Sequence, residues 1–273
     1  MTVAPVLSPR SGAIDLDGRE ALCRRIALAA GELARTAFAE RGSGGAIGMK
    51  GPQDFLTETD AAVEKYLRNA IAGAYPEDGF LGEETGGTPG DTTWVVDPID
   101  GTANFARAIP HFCISIAFVS GGETLLGAIC NPGTDELYFA RKGRGATRNG
   151  APIRVAATED YDAACVELGW STRIPNATYI KVLADILAQG ANVRRAASGA
   201  LGLAYVADGK SDAYAELHMH PWDCLAGLLL VSEAGGVVAP FLERGGLGKG
   251  GAVLAATPAI AAGISAATGI LLG

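Results

Sequence analysis

WVVDPIDGTANF, Trp94 to Phe105, is the stretch from which the rest of the chain can be read. Trp94, Val95 and Val96 form an apolar, β-branched run that predicts the end of a buried strand. Asp97-Pro98-Ile99-Asp100 then sets two carboxylates three residues apart across a rigid proline, a poor way to build a core. Gly101 lets backbone approach a ligand closely, and Thr102 offers a hydroxyl and an N–H to an anion. A solvated Asp-Pro turn would explain the proline, because both residues favour turns. It does not explain why the apolar strand runs into an acid pair and then directly into Asn104 and Phe105. Acids at the carboxyl end of a strand can chelate divalent cations, and the amides that follow can hold a phosphate.

With 273 residues the chain can bury a sizeable core, as one large domain or two closely packed halves. Lys and Arg number 22 against 30 Asp and Glu, a net charge of −8, so nucleic acid and anionic lipid gain little from binding it. The cysteines, Cys23, Cys113, Cys130, Cys165 and Cys224, are odd in number, scattered and free of any C-x-x-C pair. That pattern predicts reduced thiols in a cytoplasmic protein. Met1 to Gly12 lacks the basic and apolar regions of a signal peptide. Ala252 to Gly273 is uncharged and long enough to span a bilayer, but Thr257-Pro258, Gly263 and Gly269 interrupt it. A closing strand, AVLAAT, and a small packed helix fit better, so no membrane partner is expected.

Taken in order, residues 1 to about 16 read as a flexible lead-in, and Asp17 to Glu40 as an amphipathic helix on Leu22, Ile26, Ala29, Leu33 and Ala37. RGSGGAIG, Arg41 to Gly48, reads as a mobile connection. In MKGPQDFLTETD, the polar groups Lys50, Asp54, Glu58 and Asp60 precede a second helix whose buried face is Val63, Tyr66, Leu67, Ala70 and Ile71. Thr59 or Asp60 is the expected N-cap, which accounts for one acid of the three. LGEETGG carries the adjacent acids Glu83 and Glu84. HFCISIAFV and ETLLGAICNPGTDELYFA predict antiparallel strands, and RKGRGATRNG a turn between strands.

From Ala151 the chain predicts a strand at ACVELGW, a helix at TYIKVLADILAQ and a strand near NVRRAA. A helix at SGALGLAYVADG and a strand at DAYAEL follow. Cys224 to Ala234 reads as an apolar helix stopped by Gly235-Gly236, with Asp223 at its start, where a plain N-cap would explain the acid but not the residues before it. Trp222 and Pro221 before it suit a wall that fixes a ligand. His218 and His220 alternate like strand ligands, but the third histidine, His111, is remote, which argues against zinc.

Four separated segments therefore end apolar runs with carboxylates: Asp60, Glu83 with Glu84, Asp97 with Asp100, and Asp223. Such oxygens suit Mg²⁺, and two ions about 3.5–4 Å apart can bind the attacking and leaving oxygens of a phosphoryl displacement. DFLTETD, GEET, WVVDPIDGTANF and HPWDCLAGLLLVSEAGG, in this order and spacing, resemble the inositol monophosphatase family of lithium-sensitive, magnesium-dependent phosphatases. The motifs span residues 50 to 236.

The resemblance implies an α/β (α+β) fold, the layered αβαβα sandwich of the inositol monophosphatase and fructose-1,6-bisphosphatase type. Its N-terminal half, 1–150, would carry most of the ligands. Its C-terminal half, 151–273, would supply Asp223 and the substrate side, the two forming one compact catalytic unit. Glu83, Asp97 and the Ile99 carbonyl would hold one Mg²⁺; Asp97, Asp100 and Asp223 would hold a second; Glu83 would also serve a weaker third. Asp60 and Thr102 would orient and deprotonate the attacking water, with Glu83 assisting catalysis, while the Gly101 and Thr102 amides bind phosphate. Glu216, Ala200 and Ser171 match substrate contacts, Lys50 a mobile-loop lysine and Glu84 an acid behind the site. Ser198-Gly199-Ala200 departs from the family's usual S/G-T, and Trp170 narrows the pocket.

The implied reaction is hydrolysis of inositol 1-phosphate or a similar polyol phosphate by a homodimer. Histidinol phosphate, fructose 1,6-bisphosphate and 3′-phosphoadenosine 5′-phosphate are alternatives of the same chemistry. The absence of a long insertion disfavours the nucleotide. A regulatory binding protein on the same fold is the alternative of another class.

Overall fold

The protein was analysed as a computed structural model, which describes residues 14–40, 47–51 and 54–273. Side chains of residues 47–51 and 54–56 lie outside the description, as do the lead-in to residue 13 and the glycine-rich residues 41–46. Helix α1 (Leu16–Glu40) buries Leu22, Ile26, Ala27, Ala30 and Ala34 along one stripe. The strands β1 (Ile47–Gly51) and β2 (Asp54–Thr57) pair antiparallel and lead into α2 (Glu58–Ala74). On α2, Val63, Leu67 and Ile71 are buried while Tyr66 and Ala70 pack at the margin of the same cluster.

A seven-stranded sheet follows in chain order: β3 (Gly79–Gly82), β4 (Thr92–Asp100), β5 (Cys113–Ser120), β6 (Glu123–Asn131), β7 (Glu136–Arg141), β8 (Ala146–Arg148) and β9 (Ala151–Pro152). Only β3 and β4 are parallel; the rest form an antiparallel meander, joined through short turns except for β4 and β5, which the segment carrying α3 connects. Along β4 the pleat sends Trp94 and Val96 into the cluster under α1 and α2, and Val95 into the cluster on the other face. An apolar run without alternation is what a strand covered on both faces requires.

The start of β4 is anchored by Asp78, which accepts from Arg19 (2.8 and 2.7 Å), the Thr92 hydroxyl (2.7 Å) and the Trp94 indole N–H (2.9 Å). Burial raises the Asp78 carboxyl, but Arg19 and the hydrogen bonds outweigh it and hold it below the ordinary value. Strand β4 does not end at Val96. It continues to Asp100, with its pairing to β5 shifting register between Asp97 and Asp100. That irregularity releases the two acids from strict alternation. The short helix α3 (Thr102–Ala106) leads off from it.

The second half builds β10 (Cys165–Leu168), α4 (Asn176–Ala188), β11 (Asn192–Arg194), α5 (Gly199–Ala207), β12 (Ala213–Met219) and α6 (Pro221–Glu233). It closes with β13 (Val237–Val238), α7 (Gly246–Lys249), β14 (Gly251–Ala256) and α8 (Pro258–Thr268). The five strands are ordered β11-β10-β12-β14-β13, with β10 parallel to its two neighbours and β14 antiparallel to its own.

Five layers result: α1 and α2, the seven-stranded sheet, α5 and α6, the five-stranded sheet, then α4 and α8. Helix α6 is buried from Cys224 to Val231 without interruption, as a helix packed between two sheets must be. Residue 150 falls in the turn between β8 and β9, so the seven-stranded sheet closes two residues later, at Pro152. No helix among the described residues is long and apolar enough to cross a membrane.

Candidate functional site

Two helix starts aim carboxylates inward by the same device. At α2 the N-cap is Thr57, not Thr59 or Asp60; Asp60 is the third helical residue and accepts from the Thr57 N–H (2.9 Å) and hydroxyl. At α6 the N-cap is His220, and the helix begins at Pro221 rather than Cys224. Asp223 is again third, accepting from the His220 N–H at 3.1 Å. A carboxylate in the first helical turn is stabilised by unpaired amides and the positive end of the helix dipole. A cap was one reading of each acid; each is instead the reciprocal partner of one.

On β4, Asp97 is buried and accepts from the Ile99 N–H (2.9 Å), while the Ile99 carbonyl accepts from Thr102 Oγ1 (2.8 Å). Thr102 Oγ1 also lies 3.2 Å from Asp60 Oδ1, so the hydroxyl links the start of α2 to the end of β4. Gly101 adopts φ +96°, and a Cβ there would stand 3.0 Å from the His111 carbonyl oxygen. Only glycine turns the chain from β4 into α3 in this space.

Asp100 reaches the other half of the molecule. Its carboxylate accepts from Ser198 Oγ (2.5 Å), the Ala200 N–H (2.7 Å) and the Gly199 N–H (3.2 Å), at the first turn of α5. The departure Ser198-Gly199-Ala200 is therefore a clamp on an acid. Ala200, fully buried with its amide on Asp100, supports a carboxylate rather than a ligand hydroxyl. The sequence places Ser198 at the start of the helix SGALGLAYVADG, and in the structure its hydroxyl donates to Asp100 rather than capping that helix.

Glu83 follows β3, and its loop is held by a residue that the sequence reading passed over. Glu64, buried on the inner face of α2, accepts from the N–H groups of Glu84 (2.8 Å) and Thr85 (3.0 Å). Gly82 leaves room for it, because a Cβ there would lie 2.4 Å from Glu64 Oε2. The signal was an acid at position 64 among the apolar positions 63, 67 and 71.

Among the described residues, Glu83, Asp97 and Asp223 form the one group whose ligand oxygens all lie within 4.8 Å of one another. Burial, then the charges of Glu83, Asp100 and Asp223, push the Asp97 carboxyl well above its ordinary range. Burial, then Glu83 and Asp100, do the same to Asp223. For Asp100 burial outweighs the donors from α5, and for Asp60 it outweighs those from Thr57 and Thr102. Like charges held together without a cation are what a site for a divalent ion presents in its absence.

The group opens into a cavity of about 510 Å³ that Gly101, Thr102, Ser171, Glu216 and Trp222 also line. Burial raises Glu216 to about 7, although its carboxylate accepts from the Tyr214 hydroxyl at 2.6 Å. Trp222 stacks with His220 at 4.6 Å, and its carbonyl is held by Ser115 Oγ at 2.9 Å. His218 meets His220 edge-on, within the wall rather than in a ligand group. All five cysteines are free. Lys50 lies in β1, but its side chain is outside the described residues.

A family model described as the inositol monophosphatase family matches residues 16–270. A protein of Rhizobium meliloti named Inositol-1-monophosphatase is 41% identical over 195 residues, 70% of this chain and 73% of its own. A protein of Escherichia coli K12 named Nus factor SuhB is 39% identical over 198 residues, 71% of this chain and 74% of its own. The crystal structure of extragenic suppressor protein suhB from Bartonella henselae superposes with a TM-score of 0.85 at 32% identity, covering 92% of this chain and 98% of that one. On this evidence, with the layered fold and the acidic group in place, the chain belongs to the inositol monophosphatase family.

Proposed function

We propose that the protein is a Mg²⁺-dependent phosphomonoesterase acting on inositol 1-phosphate or a similar polyol phosphate. The observation that carries this reading is the convergence of Glu83, Asp97 and Asp223 at a cavity that also presents the Gly101–Thr102 turn. The all-carboxylate donor set fits a hard cation. Glu83, Asp97 and the Ile99 carbonyl would hold one ion, Asp97, Asp100 and Asp223 a second, with Glu83 shared by a weaker third. When bound, Mg²⁺ neutralises phosphate charge and makes water acidic enough to attack.

The chain's own part is positioning. Thr102 lines the cavity and Asp60 is fully buried behind it, so the hydroxyl is the point where the pair meets solvent. With the Ile99 carbonyl turned to an ion, the Thr102 hydroxyl would donate to Asp60 Oδ1 instead, leaving Thr102 Oγ1 to accept from the attacking water, whose proton the pair would receive. The Gly101 and Thr102 amides would seat the phosphate, and Glu216 and Ser171 the hydroxyls of the alcohol. Ala200 acts through Asp100, and Glu84 through the loop that Glu64 holds.

The test is phosphate release from inositol 1-phosphate, histidinol phosphate, fructose 1,6-bisphosphate and 3′-phosphoadenosine 5′-phosphate, with Mg²⁺ and with EDTA. Magnesium-dependent release from the inositol ester, abolished in Asp97→Asn with the fold retained, is expected. Turnover of another ester alone corrects the substrate, and turnover by Asp97→Asn removes the metal assignment. The relatives named Nus factor SuhB support a second reading, a regulatory binding role on the same fold. Release from no ester would bring it forward. A cytoplasmic homodimer is part of the proposal, and light scattering on the purified protein tests the dimer.

A further inference from the structure

Consecutive arginines at the cavity have different surroundings. Arg194, the last residue of β11, is committed to the buried Glu167 carboxylate at 2.8 Å. Arg195 instead stands with its guanidinium carbon 5.5 Å from the centre of the Trp170 ring, on the cavity wall. Arg173 also lines the cavity, and its guanidinium contacts Ser171 Oγ at 3.3 Å. Among the described residues neither Arg173 nor Arg195 has a carboxylate at ion-pair distance. Both nonetheless ease the burial of Glu216 by their charge, so they face the interior of the cavity electrostatically.

Exposed arginines are ordinarily solvated and mobile, but Arg195 has a fixed platform, and Arg173 is tethered to Ser171 Oγ. The Asn104 amide donates to the carbonyls of His111 (2.8 Å), Ala196 (2.8 Å) and Ala197 (3.3 Å), pinning the backbone beside Arg195. Ala197 is held at φ +61°, a conformation that a non-glycine residue keeps only when its surroundings impose it. The Trp170 indole N–H is tied to Asn176 Oδ1 at 2.9 Å, so the ring under Arg195 is itself oriented. A planar guanidinium held over an aromatic face, with its N–H edges open, suits a phosphate or carboxylate. At about 510 Å³ the cavity has room for the body of a substrate beyond its reacting phosphate.

We propose that Arg173, Arg195 and Trp170 form a subsite for a second anionic group, phosphate or carboxylate, carried on the organic part of the substrate. The proposal rests on the phosphomonoesterase reading of the same cavity and adds esters with a charged tail to its substrate class.

Three matched open-chain esters test it: glucitol 6-phosphate with a neutral tail, glucitol 1,6-bisphosphate, and 6-phosphogluconate. Binding is followed by calorimetry and tryptophan fluorescence with Ca²⁺ in place of Mg²⁺, and phosphate release is followed separately with Mg²⁺. The wild-type protein is expected to bind at least one charged-tail ester about tenfold more tightly than the neutral one, as a charge-assisted contact predicts. Arg195→Gln should remove most of that preference and leave glucitol 6-phosphate binding unchanged; Arg173→Gln, which also frees Ser171, should weaken the charged-tail esters far more than the neutral one. Preference for the bisphosphate alone makes the subsite a phosphate site, and equal preference for 6-phosphogluconate makes it a general anion site. No wild-type preference overturns the proposal. So does an equal loss for all three esters in the variants, which would put the guanidiniums on the reacting phosphate. If the preference and its loss hold but neither these esters nor inositol 1-phosphate releases phosphate, the phosphatase reading falls and the subsite stands.

Discussion

Glu216 shows how one residue's surroundings set both its chemistry and its cost. Its carboxyl is raised to about 7 by burial, against an ordinary value of 4.5. Between those values the folded protein keeps a proton that the unfolded chain has lost, so stability falls as pH rises through this window. Glu216→Gln should flatten that slope. The difference in melting temperature between variant and wild type in EDTA should grow from pH 5 to pH 7, reflecting up to about 3 kcal/mol. A constant difference would show that Glu216 is ionised throughout. The same variant should shift preference among polyol esters more than it shifts the Mg²⁺ requirement. Glu216 could be matched to a family position in the sequence, whereas its proton could not be foreseen. The Tyr214 hydroxyl beside it and the closure over it are products of β12 being packed beneath α5.

At the scale of elements, the site is a meeting of helix starts with one strand end. Helices α2 and α6 deliver Asp60 and Asp223 from their first turns, and α5 spends its first turn on Asp100. Ser198→Ala removes the shortest of the donors that the start of α5 gives Asp100 and should raise the Mg²⁺ concentration for half-maximal activity about tenfold, as loss of a group that orients a ligand does. Its melting temperature should fall only slightly, by an amount matching about 1 kcal/mol. An unchanged Mg²⁺ requirement would show that the α5 amides orient Asp100 unaided.

Elements of this kind were largely legible: α2 carries helical periodicity and α1 does at Leu22 and Ile26, although Leu33, expected on the same face, is exposed, and β5 and β6 read as apolar strand runs. What hid were long-range polar partners: Asp78 under Trp94, Glu64 under the Glu83 loop, Ser198 under Asp100. Each is a polar residue whose meaning depends on what the fold brings to it from 16, 20 or 98 positions away.

Across the whole molecule the five layers share their interior, since α5 and α6 pack against both sheets. The protein should accordingly unfold in a single calorimetric transition, with residues 1–150 and 151–273 melting together. Mg²⁺ should raise that transition temperature as a ligand of the folded state alone must. Asp97→Asn should melt higher than wild type in EDTA, because it relieves burial of a repelled carboxylate, and should lose the Mg²⁺ response. Two transitions, or a variant that retains the response, would contradict this account.

The clamp on Asp100 gives the protein a direction in time. A growing chain releases Asp97 and Asp100 from the ribosome about a hundred residues before Ser198 and Asp223 follow. Until then the acids of β4 lack both the helix that orients one of them and the last carboxylate of the group. A nascent first half therefore has no finished cage with which to sequester a cation. On the proposed function, competence for metal therefore waits for α5 and α6, the two helices of the middle layer.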